Sequence, residues 1–319
     1  MNYQSIANLS DLIRQSLHKI PRDVDIVVGV PRSGVLPASM LALHLNVHYC
    51  DLNTLIQDDE LRKGQTRHSR YQDVIRPSNA RHILIFDDSV ATGGSMTRLR
   101  QTVGALGLKS KITYGAVYTT TQGQNHVDLH FLKLAVPRVF EWHLMHRPLL
   151  SHSCVDIDGV LCWDPTEAEN DDGPAYRKFL LNARPLALPT HRIGHLVSSR
   201  LEKYRTETET WLRQHGVEYE RLHLLDLPDA ATRRKLGNHG AFKAEIYSQI
   251  KDADLFIESE PHQAIEIARR SGKPVLCFGS QTMQQPGLSY ANLQYRRLKL
   301  SQRIRQKLQR VISKLVLHV

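Results

Sequence analysis

The sequence predicts an α/β fold made of two domains, each built around a parallel sheet. The chain has 319 residues, which is enough for two domains with separate hydrophobic cores. Apolar strand patterns near 25–30, 82–87 and 111–118 alternate with helical patterns, as is typical of a parallel sheet. A second α/β block follows without a linker. We therefore expect domains at 1–150 and 151–290, followed by a terminal segment at 291–319.

The composition is that of a soluble globular protein, with 41% hydrophobic and 23% charged residues. No apolar run approaches membrane-spanning length, and the first five residues lack a signal-peptide pattern. The four cysteines are dispersed and form no Cys-x-x-Cys pair. These features predict a cytoplasmic protein with reduced thiols.

The most informative run is an apolar strand pattern, 82–86, that ends in Asp87 and Asp88. The turn that follows contains two glycines and two hydroxyl side chains: Ala91, Thr92, Gly93, Gly94 and Ser95. Glycines let the backbone approach an anion closely, and the next helix supplies free amides and a positive dipole end. This is not the P-loop pattern, which requires Lys after the second Gly. The run predicts a phosphate cradle, with acids placed to hold a metal or sugar hydroxyls.

An earlier loop strengthens this interpretation. The strand pattern 25–30 runs into a turn that offers a forked cation and amides at a helix start: Pro31, Arg32, Ser33 and Gly34. Between the two motifs, the polar run 58–68 carries Arg62, Lys63 and Arg67. A mobile loop and a plain solvated hairpin are equally compatible with that run.

In this order the motifs resemble those of the type I phosphoribosyltransferases, whose signature is a hydrophobic strand, two acids and Thr-Gly-Gly-Ser/Thr. The resemblance implies phosphoribosyl pyrophosphate (PRPP) as a substrate, bound with Mg²⁺. Asp87 and Asp88 would hold the ribose hydroxyls, and residues 92–95 the 5-phosphate. The loop 31–34 would bind the pyrophosphate, which Arg62 and Lys63 would reach from a mobile loop.

The second block carries four polar positions in sequence order. A strand pattern from Ser153 delivers Asp156 and Asp158, followed by Gly159. A second strand pattern ends in the hydroxyls of Ser198 and Ser199. Lys243 then starts a helical pattern, and a third strand pattern ends in the acids Glu258 and Glu260. Asp-x-Asp-Gly by itself is also common in calcium loops and turns, so the interpretation depends on the full order.

This order resembles the haloacid dehalogenase-like (HAD-like) phosphatases, whose first motif is Asp-x-Asp-Gly-x-Leu. The resemblance implies that Asp156 attacks phosphorus and binds Mg²⁺, while Asp158 protonates the leaving oxygen and then activates water. Ser198, with Ser199 beside it, would hydrogen-bond the phosphoryl group. Lys243 would neutralise the aspartyl-phosphate.

The last of these positions departs from the family's commonest pattern, Gly-Asp-x-x-x-Asp, because Glu replaces Asp and Ala264 occupies the place of the second acid. The spacing to the following helix favours Glu260 as the remaining metal ligand, with Glu258 as its competitor. The segment 162–192 between the first two positions is short. A small insertion there implies an open site that admits a phosphate displayed on a bulky substrate.

The terminal segment is strongly basic. From residue 271 onward the chain has no Asp or Glu, and its basic residues supply most of the net charge of +10. Apolar residues recur at helical spacing: Ile304, Leu308, Val311, Ile312 and Leu315. This pattern predicts a basic amphipathic helix lying on the anionic inner face of a membrane. A helix docked on the second domain or in an oligomer is the alternative. Few aromatic residues accompany the basic ones, which disfavours nucleic acid.

Together the two resemblances imply two Rossmann-like domains acting in succession. Transfer of 5-phosphoribosyl from PRPP would precede removal of the 5-phosphate. The favoured acceptor is a sugar hydroxyl on a lipid-linked glycan, as in the PRPP-dependent ribofuranosyltransferases of bacterial capsule and O-antigen synthesis, which the chain resembles. A nucleobase enzyme fused to a nucleotidase is one alternative, and a PRPP-sensing regulator or RNA-binding protein is another.

Overall fold

The computed structural model describes residues 1–287 apart from residues 63, 65 and 67. The chain divides into two compact units, Met1–Trp142 and His143–Val319, whereas the sequence placed the division at residue 150. The predicted basic helix at 291–319 lies outside the described residues, as does Lys63.

The first unit is built on a five-stranded sheet of order β3-β2-β4-β5-β6, in which all neighbours are parallel. A separate parallel pair joins β1 to β7. The elements of this unit are β1 (Asn2–Gln4), α1 (Ile6–Ser16), β2 (Ile26–Gly29), α2 (Val35–Leu45), β3 (His48–Asp51), α3 (Leu52–Gln57), β4 (His82–Val90), α4 (Gly94–Gly104), β5 (Lys111–Thr119), β6 (Leu129–Lys133) and β7 (Arg138–Phe140).

Both faces of this sheet are covered, which explains why its strands are continuous apolar runs. Along β2, Val27 packs into one hydrophobic cluster, while Ile26 and Val28 pack into another on the opposite face. Helix α1 adds Leu9 and Ile13, four residues apart on one face, to the first cluster. Two buried layers therefore hold the sheet rigid beneath its carboxyl edge.

The strand that carries the acid pair is longer than the sequence predicted. Pairing with β5 continues through Asp87 and Ser89 to Val90, so the acids lie inside β4 rather than after it. The sequence pattern predicts the next helix from about Met96, whereas α4 begins at Gly94. The sequence pattern ended the strand too early because polar side chains mark an exposed loop, whereas here the backbone still has a paired neighbour.

The second unit contains a six-stranded sheet of order β10-β9-β8-β11-β12-β13, parallel except for the last pair. Its core includes Cys154, Val197, Tyr247 and Phe256. The elements are β8 (Ser153–Val155), α5 (Pro174–Asn182), β9 (Ile193–Leu201), α6 (Arg205–Gln214), β10 (Tyr219–Leu225), α7 (Ala230–Leu236), α8 (His239–Gln249), β11 (Leu255–Glu258), α9 (Pro261–Ser271), β12 (Val275–Cys277) and β13 (Thr282–Gln284).

Both sheets reverse their strand order beside the first parallel strand. In the first unit the chain moves from β2 outward to β3, then returns to the other side of β2 with β4. In the second unit it moves from β8 through β9 to β10, then returns to β8 with β11. Ligand sites of open parallel sheets lie in the crevice at such a reversal, outside the carboxyl ends of the strands.

The four cysteines are free and buried, in agreement with the expectation of reduced thiols. No helix in the described part of the chain has the length and hydrophobicity needed to span a bilayer.

The packing of α1 generates a stability prediction. Leu9→Ala removes a fully buried side chain and should lower the free energy of unfolding by about 2–5 kcal/mol, because the cavity left behind collapses only partly. Leu43→Ala is the control, since Leu43 is 83% exposed and should change the free energy by less than about 0.5 kcal/mol. Urea unfolding followed by circular dichroism measures both values, and equal losses would contradict the assignment of α1 to the core.

Candidate functional sites

The turn between β4 and α4 has the geometry of an anion cradle. Gly93 has a φ of 88°, and a Cβ at this position would meet the His126 ring at 2.0 Å, so the turn requires glycine. Thr92, Gly94 and Ser95 are exposed at the start of α4. The free amides of this 11-residue helix point toward the same place. The predicted residues 91–95 therefore come together as one phosphate-sized turn.

The two acids of β4 have different surroundings. Asp88 is 4% exposed, and both of its oxygens are occupied: the Ser33 hydroxyl donates to Oδ1 at 2.8 Å and the Trp142 indole nitrogen to Oδ2 at 2.8 Å. Asp87 is more exposed, and its Oδ1 accepts the amide of Asp88 at 2.8 Å. Gly34 lies against it, since a Cβ on Gly34 would be 2.7 Å from Asp87 Oδ1. The loop 31–34 and the acid pair therefore lie against each other.

Electrostatics divides the roles of the pair. Burial, followed by the negative charge of Asp88, raises the pKa of Asp87 to about 8. Asp88 has two side-chain donors that favour its ionised form. Asp87 therefore takes up a proton at a higher pH than an ordinary aspartate does.

Trp142 belongs to an aromatic column that sequence reasoning missed as part of the site. Its ring stacks on Phe140 with centroids 4.9 Å apart, and Phe140 contacts Tyr118 at 5.2 Å. The Tyr118 hydroxyl donates to Gln4 in β1. The β1–β7 pair therefore holds the indole nitrogen against Asp88. No spacing rule connects residues 54 positions apart, so only the tertiary fold reveals this contact.

The predicted mobile-loop residues lie elsewhere in the described structure. Arg62 is exposed and lines a cavity of about 1000 Å³ beside α2 and β3, together with His48, Asp51 and Glu60. Within the described residues, that lining includes no member of 31–34 or 91–95. Arg32 is also exposed.

A buried charge cluster marks the carboxyl edge of the second sheet. Lys243 Nζ lies 2.6 Å from Asp156 Oδ2, 2.7 Å from Glu258 Oε2 and 3.0 Å from Gln263 Oε1. Asp156 follows β8, Glu258 ends β11 and Lys243 projects from the first turns of α8. The reversal between β8 and β11 thus brings together three residues that are up to 102 positions apart.

One ammonium faces two carboxylates in this cluster. Burial lowers the pKa of Lys243, but Asp156 and Glu258 outweigh burial and raise it, so the lysine remains charged. Burial raises the pKa of Asp156 although Lys243 opposes the shift, and Glu258 adds to it. The cluster is therefore short of positive charge and can take up a cation or a proton.

Asp158 does not join this cluster through its side chain. Its carboxylate binds the buried guanidinium of Arg200, with Nη2 2.7 Å from Oδ1 and Nε 3.1 Å from Oδ2. Burial alone would raise the pKa of Asp158, but the charge and hydrogen bonds of Arg200 outweigh it and lower the pKa. Sequence reasoning missed Arg200, because an arginine inside a strand pattern gives no sign of its partner.

The last acid position is resolved differently from the sequence preference. Glu260 caps α9, accepting the Gln263 amide at 2.7 Å, whereas Glu258 is fully buried beside Lys243. The sequence favoured Glu260 as the metal ligand over Glu258, and of the two only Glu258 contacts Lys243 and, through it, lies beside Asp156. Ser198 is buried near the end of β9, and Ser199 follows it.

The donor atoms of the second site determine whether it could bind Mg²⁺. Among the described residues, no group of three or more His, Cys, Asp and Glu side chains is arranged to hold a metal ion. Asp156 and Glu258 both contact the Lys243 ammonium, and Mg²⁺ commonly takes one or two carboxylates and keeps several waters, so these two side chains are the ones that could hold it. The ligand prediction from the sequence comprised Asp156, Asp158 and Glu260 or Glu258; the structure puts Asp158 in a pair with Arg200 instead.

Comparison with known proteins assigns the class of the first unit. Residues 2–144 match the family model of the phosphoribosyl transferase domain. The match covers the cradle, the acid pair and the loop 31–34, so this part of the chain is a domain of the phosphoribosyltransferase type. Residues 145–319 lie beyond the match.

Solved structures give weaker similarities. A purine phosphoribosyltransferase from Pyrococcus horikoshii is 19% identical, with 44% of this chain and 92% of that chain covered and a TM-score of 0.32. The xanthine-guanine-hypoxanthine phosphoribosyltransferase of Helicobacter pylori is 16% identical, with 45% of this chain and 92% of that chain covered and a TM-score of 0.33. An adenine phosphoribosyltransferase from Rhodothermus marinus is 20% identical, with 40% of this chain and 81% of that chain covered and a TM-score of 0.28. No curated protein matches the chain.

The acid pair generates a titration prediction. Asp88→Asn removes the neighbouring negative charge, so the pKa of Asp87 should fall from about 8 yet stay above its usual value because burial remains. Carboxyl carbon NMR titration of the native chain and the variant measures the shift. An unchanged pKa would show that Asp88 does not influence Asp87.

Proposed function

We propose that this protein is a bifunctional ribofuranosyltransferase. Its first unit transfers 5-phosphoribosyl from PRPP to a sugar hydroxyl of a glycan, and its second, HAD-like unit removes the 5-phosphate. The observation that carries the proposal is the Asp156–Lys243–Glu258 cluster at a strand-order reversal in a chain that begins with a phosphoribosyltransferase-type domain.

In the first unit, the geometry supports binding of the phosphoribosyl group. Residues 92–95 and the start of α4 would hold the 5-phosphate, because exposed amides and hydroxyls converge there. Asp87, the more exposed acid, would accept hydrogen bonds from the ribose hydroxyls, while Ser33 and Trp142 keep Asp88 in place. Arg32 would offset the charge of the departing pyrophosphate.

The transfer step follows from that placement. The bond between C1 and the pyrophosphate oxygen breaks, and both bonding electrons leave with pyrophosphate. The acceptor oxygen then bonds to the oxocarbenium-like C1 from the opposite face and loses its proton to solvent water, giving a β-ribofuranoside. Bound Mg²⁺ would neutralise part of the pyrophosphate charge.

In the second unit, Asp156 would be the residue that attacks phosphorus. Its carboxylate would form a bond to phosphorus as the bond to the sugar oxygen breaks, and water would later release inorganic phosphate. Lys243 lies 2.6 Å from Asp156 and stabilises the added negative charge, and Ser198 on β9 supplies a hydroxyl near the same edge. Mg²⁺ on Asp156 and Glu258 would stabilise the charge of the transferring phosphoryl group.

The Arg200 pair refines the role of Asp158. An ionised carboxylate accepts a proton and cannot donate one, so Asp158 in this arrangement suits the activation of water in the second half-reaction. To protonate the leaving oxygen, as the family resemblance implies, Asp158 must first take up a proton and loosen its contact with Arg200.

The combination of the two proposed activities favours a glycan hydroxyl as the acceptor. A nucleobase acceptor would yield a nucleotide that the second unit converts at once to a nucleoside, which discards the product of the first reaction. A glycan hydroxyl uses both steps, because the ribose remains attached after its phosphate leaves. The proposed membrane contact of 291–319 would bring the enzyme to a lipid-linked glycan, although that segment lies outside the described residues.

Product masses test the two reactions together. The native chain and Asp156→Asn are incubated with Mg²⁺ and PRPP, once with a glycan-acceptor panel and once with a nucleobase panel. Because Asp156 supplies the attacking oxygen, the variant should add phosphoribose (about 212 Da) to a glycan, whereas the native chain adds ribose (about 132 Da).

Asp252→Asn is the matched control, since Asp252 is an exposed aspartate of the same unit, and it should behave like the native chain. Reaction with nucleobases alone would reject the glycan acceptor in favour of the salvage alternative. Binding of PRPP without any transfer, together with RNA binding, would favour the regulator.

The Asp88 contacts generate a kinetic prediction. Trp142→Phe keeps the stack on Phe140 but removes the indole donor to Asp88, so kcat/KM for PRPP should fall about tenfold, as expected for one hydrogen bond to a charged group. Trp163→Phe, at a half-exposed tryptophan of the second unit, should leave this constant unchanged. Equal constants for native and Trp142→Phe enzymes would mean that the indole donor contributes nothing to catalysis.

A further inference from the structure

Arg233 on α7 is a nearly buried cation whose hydrogen-bonding capacity is only partly used. Arg233 is 9% exposed. Nη1 donates to the backbone oxygen of Ser199 at 3.1 Å, Nη2 lies 3.5 Å from Asn170 Oδ1, and Nε has no partner. The Tyr176 hydroxyl also contacts this guanidinium. Every one of these partners is neutral.

Among the described residues of this unit, two other cations are buried, and both are neutralised. Arg200 is paired with Asp158, and Lys243 with Asp156 and Glu258. Within the described residues, by contrast, no carboxylate lies at ion-pair distance from Arg233. A buried charge without a counter-charge is costly, so such groups in proteins are normally paired. The missing partner of Arg233 is therefore expected to be an anion from outside the chain.

Arg233 lies at the same edge of the sheet as the charge cluster. The residue that it contacts, Ser199, directly follows Ser198 on β9. His239, at the start of α8, is close enough to both cations for their charges to affect it. Burial lowers the pKa of His239, and the charges of Arg233 and Lys243 lower it further. Two more polar atoms here lack partners, Ser199 Oγ and Asn238 Oδ1. Unpaired groups thus come from β9, α7 and the start of α8.

We propose that Arg233, together with Ser199, binds the phosphate group of the phosphate monoester on which the second unit acts. The guanidinium fork matches two oxygens of a phosphate, and its Nε is a buried donor without a hydrogen-bond partner in the chain. A phosphate dianion also supplies the counter-charge that the chain lacks. This inference rests on the proposed phosphatase function and names the group that its site recognises.

Hydrogen exchange with inorganic phosphate as the probe tests this assignment. It reports binding at β9 and α7 separately from any binding at the cradle of the first unit. The full chain is titrated as native protein, Arg233→Met and Arg234→Met, the last being an exposed arginine one position along the same helix. We expect phosphate to protect peptides covering 193–201 and 230–243. Arg233→Met should raise the half-saturating concentration at least tenfold, and Arg234→Met should not change it.

Either of two results would overturn the inference: no protection of these peptides in the native chain, or equal half-saturation for native and Arg233→Met. If Arg233→Met does not fold, Arg233→Lys decides, because it keeps the charge but loses the fork; a rise of about threefold supports the role, and an unchanged value rejects it.

Hydrolysis of sugar phosphates is measured in parallel, so that the two proposals fail separately. Phosphate protection that depends on Arg233 in a chain without hydrolytic activity would reject the phosphatase function and retain the binding site. If the chain hydrolyses sugar phosphates but phosphate protection does not depend on Arg233, the phosphatase function is retained and the Arg233 binding site is rejected.

Discussion

Parallel pairing is the constraint on which both sites depend. When strands run in one direction, their carboxyl ends meet at one edge, and a reversal of strand order opens a crevice there. The reversal beside β2 brings the loop 31–34 against Asp87 and Asp88 in β4. The reversal beside β8 brings Asp156 and Glu258 to Lys243. In each unit, a rigid buried sheet holds reactive groups that are distant in sequence.

Charge balance then determines what each edge can bind. In the first unit, two adjacent acids are buried together, and the structure fixes one with Ser33 and Trp142 while the pKa of the other rises. In the second, a single lysine serves two carboxylates, and a separate arginine holds Asp158. Under the proposed function, the first arrangement would bind PRPP, and the second, together with Arg233, would bind a phosphate monoester.

Much of this arrangement was predictable, because the informative signals were local. A strand followed by acids and a glycine turn specifies a cradle within about 15 residues, and the family match over 2–144 agrees with that interpretation. The paired role of Ser33 was invisible, as was that of Trp142, since hydrogen bonds between distant residues leave no periodic trace. For a similar reason the sequence could not show that Glu260 caps α9 while Glu258 is buried beside Lys243, because the two glutamates look alike until the start of α9 is seen.

The sequence by itself determined the α/β class, the order of the motifs and the residue types that carry the chemistry, because these depend on short-range patterns of apolar, glycine and acidic residues. Only the tertiary structure decided which groups meet and in which protonation state. Arg200 pairs with Asp158 and lowers its pKa, Trp142 donates to Asp88, and Arg233 has no carboxylate partner among the described residues, because burial and pairing arise when segments far apart in the chain pack against each other.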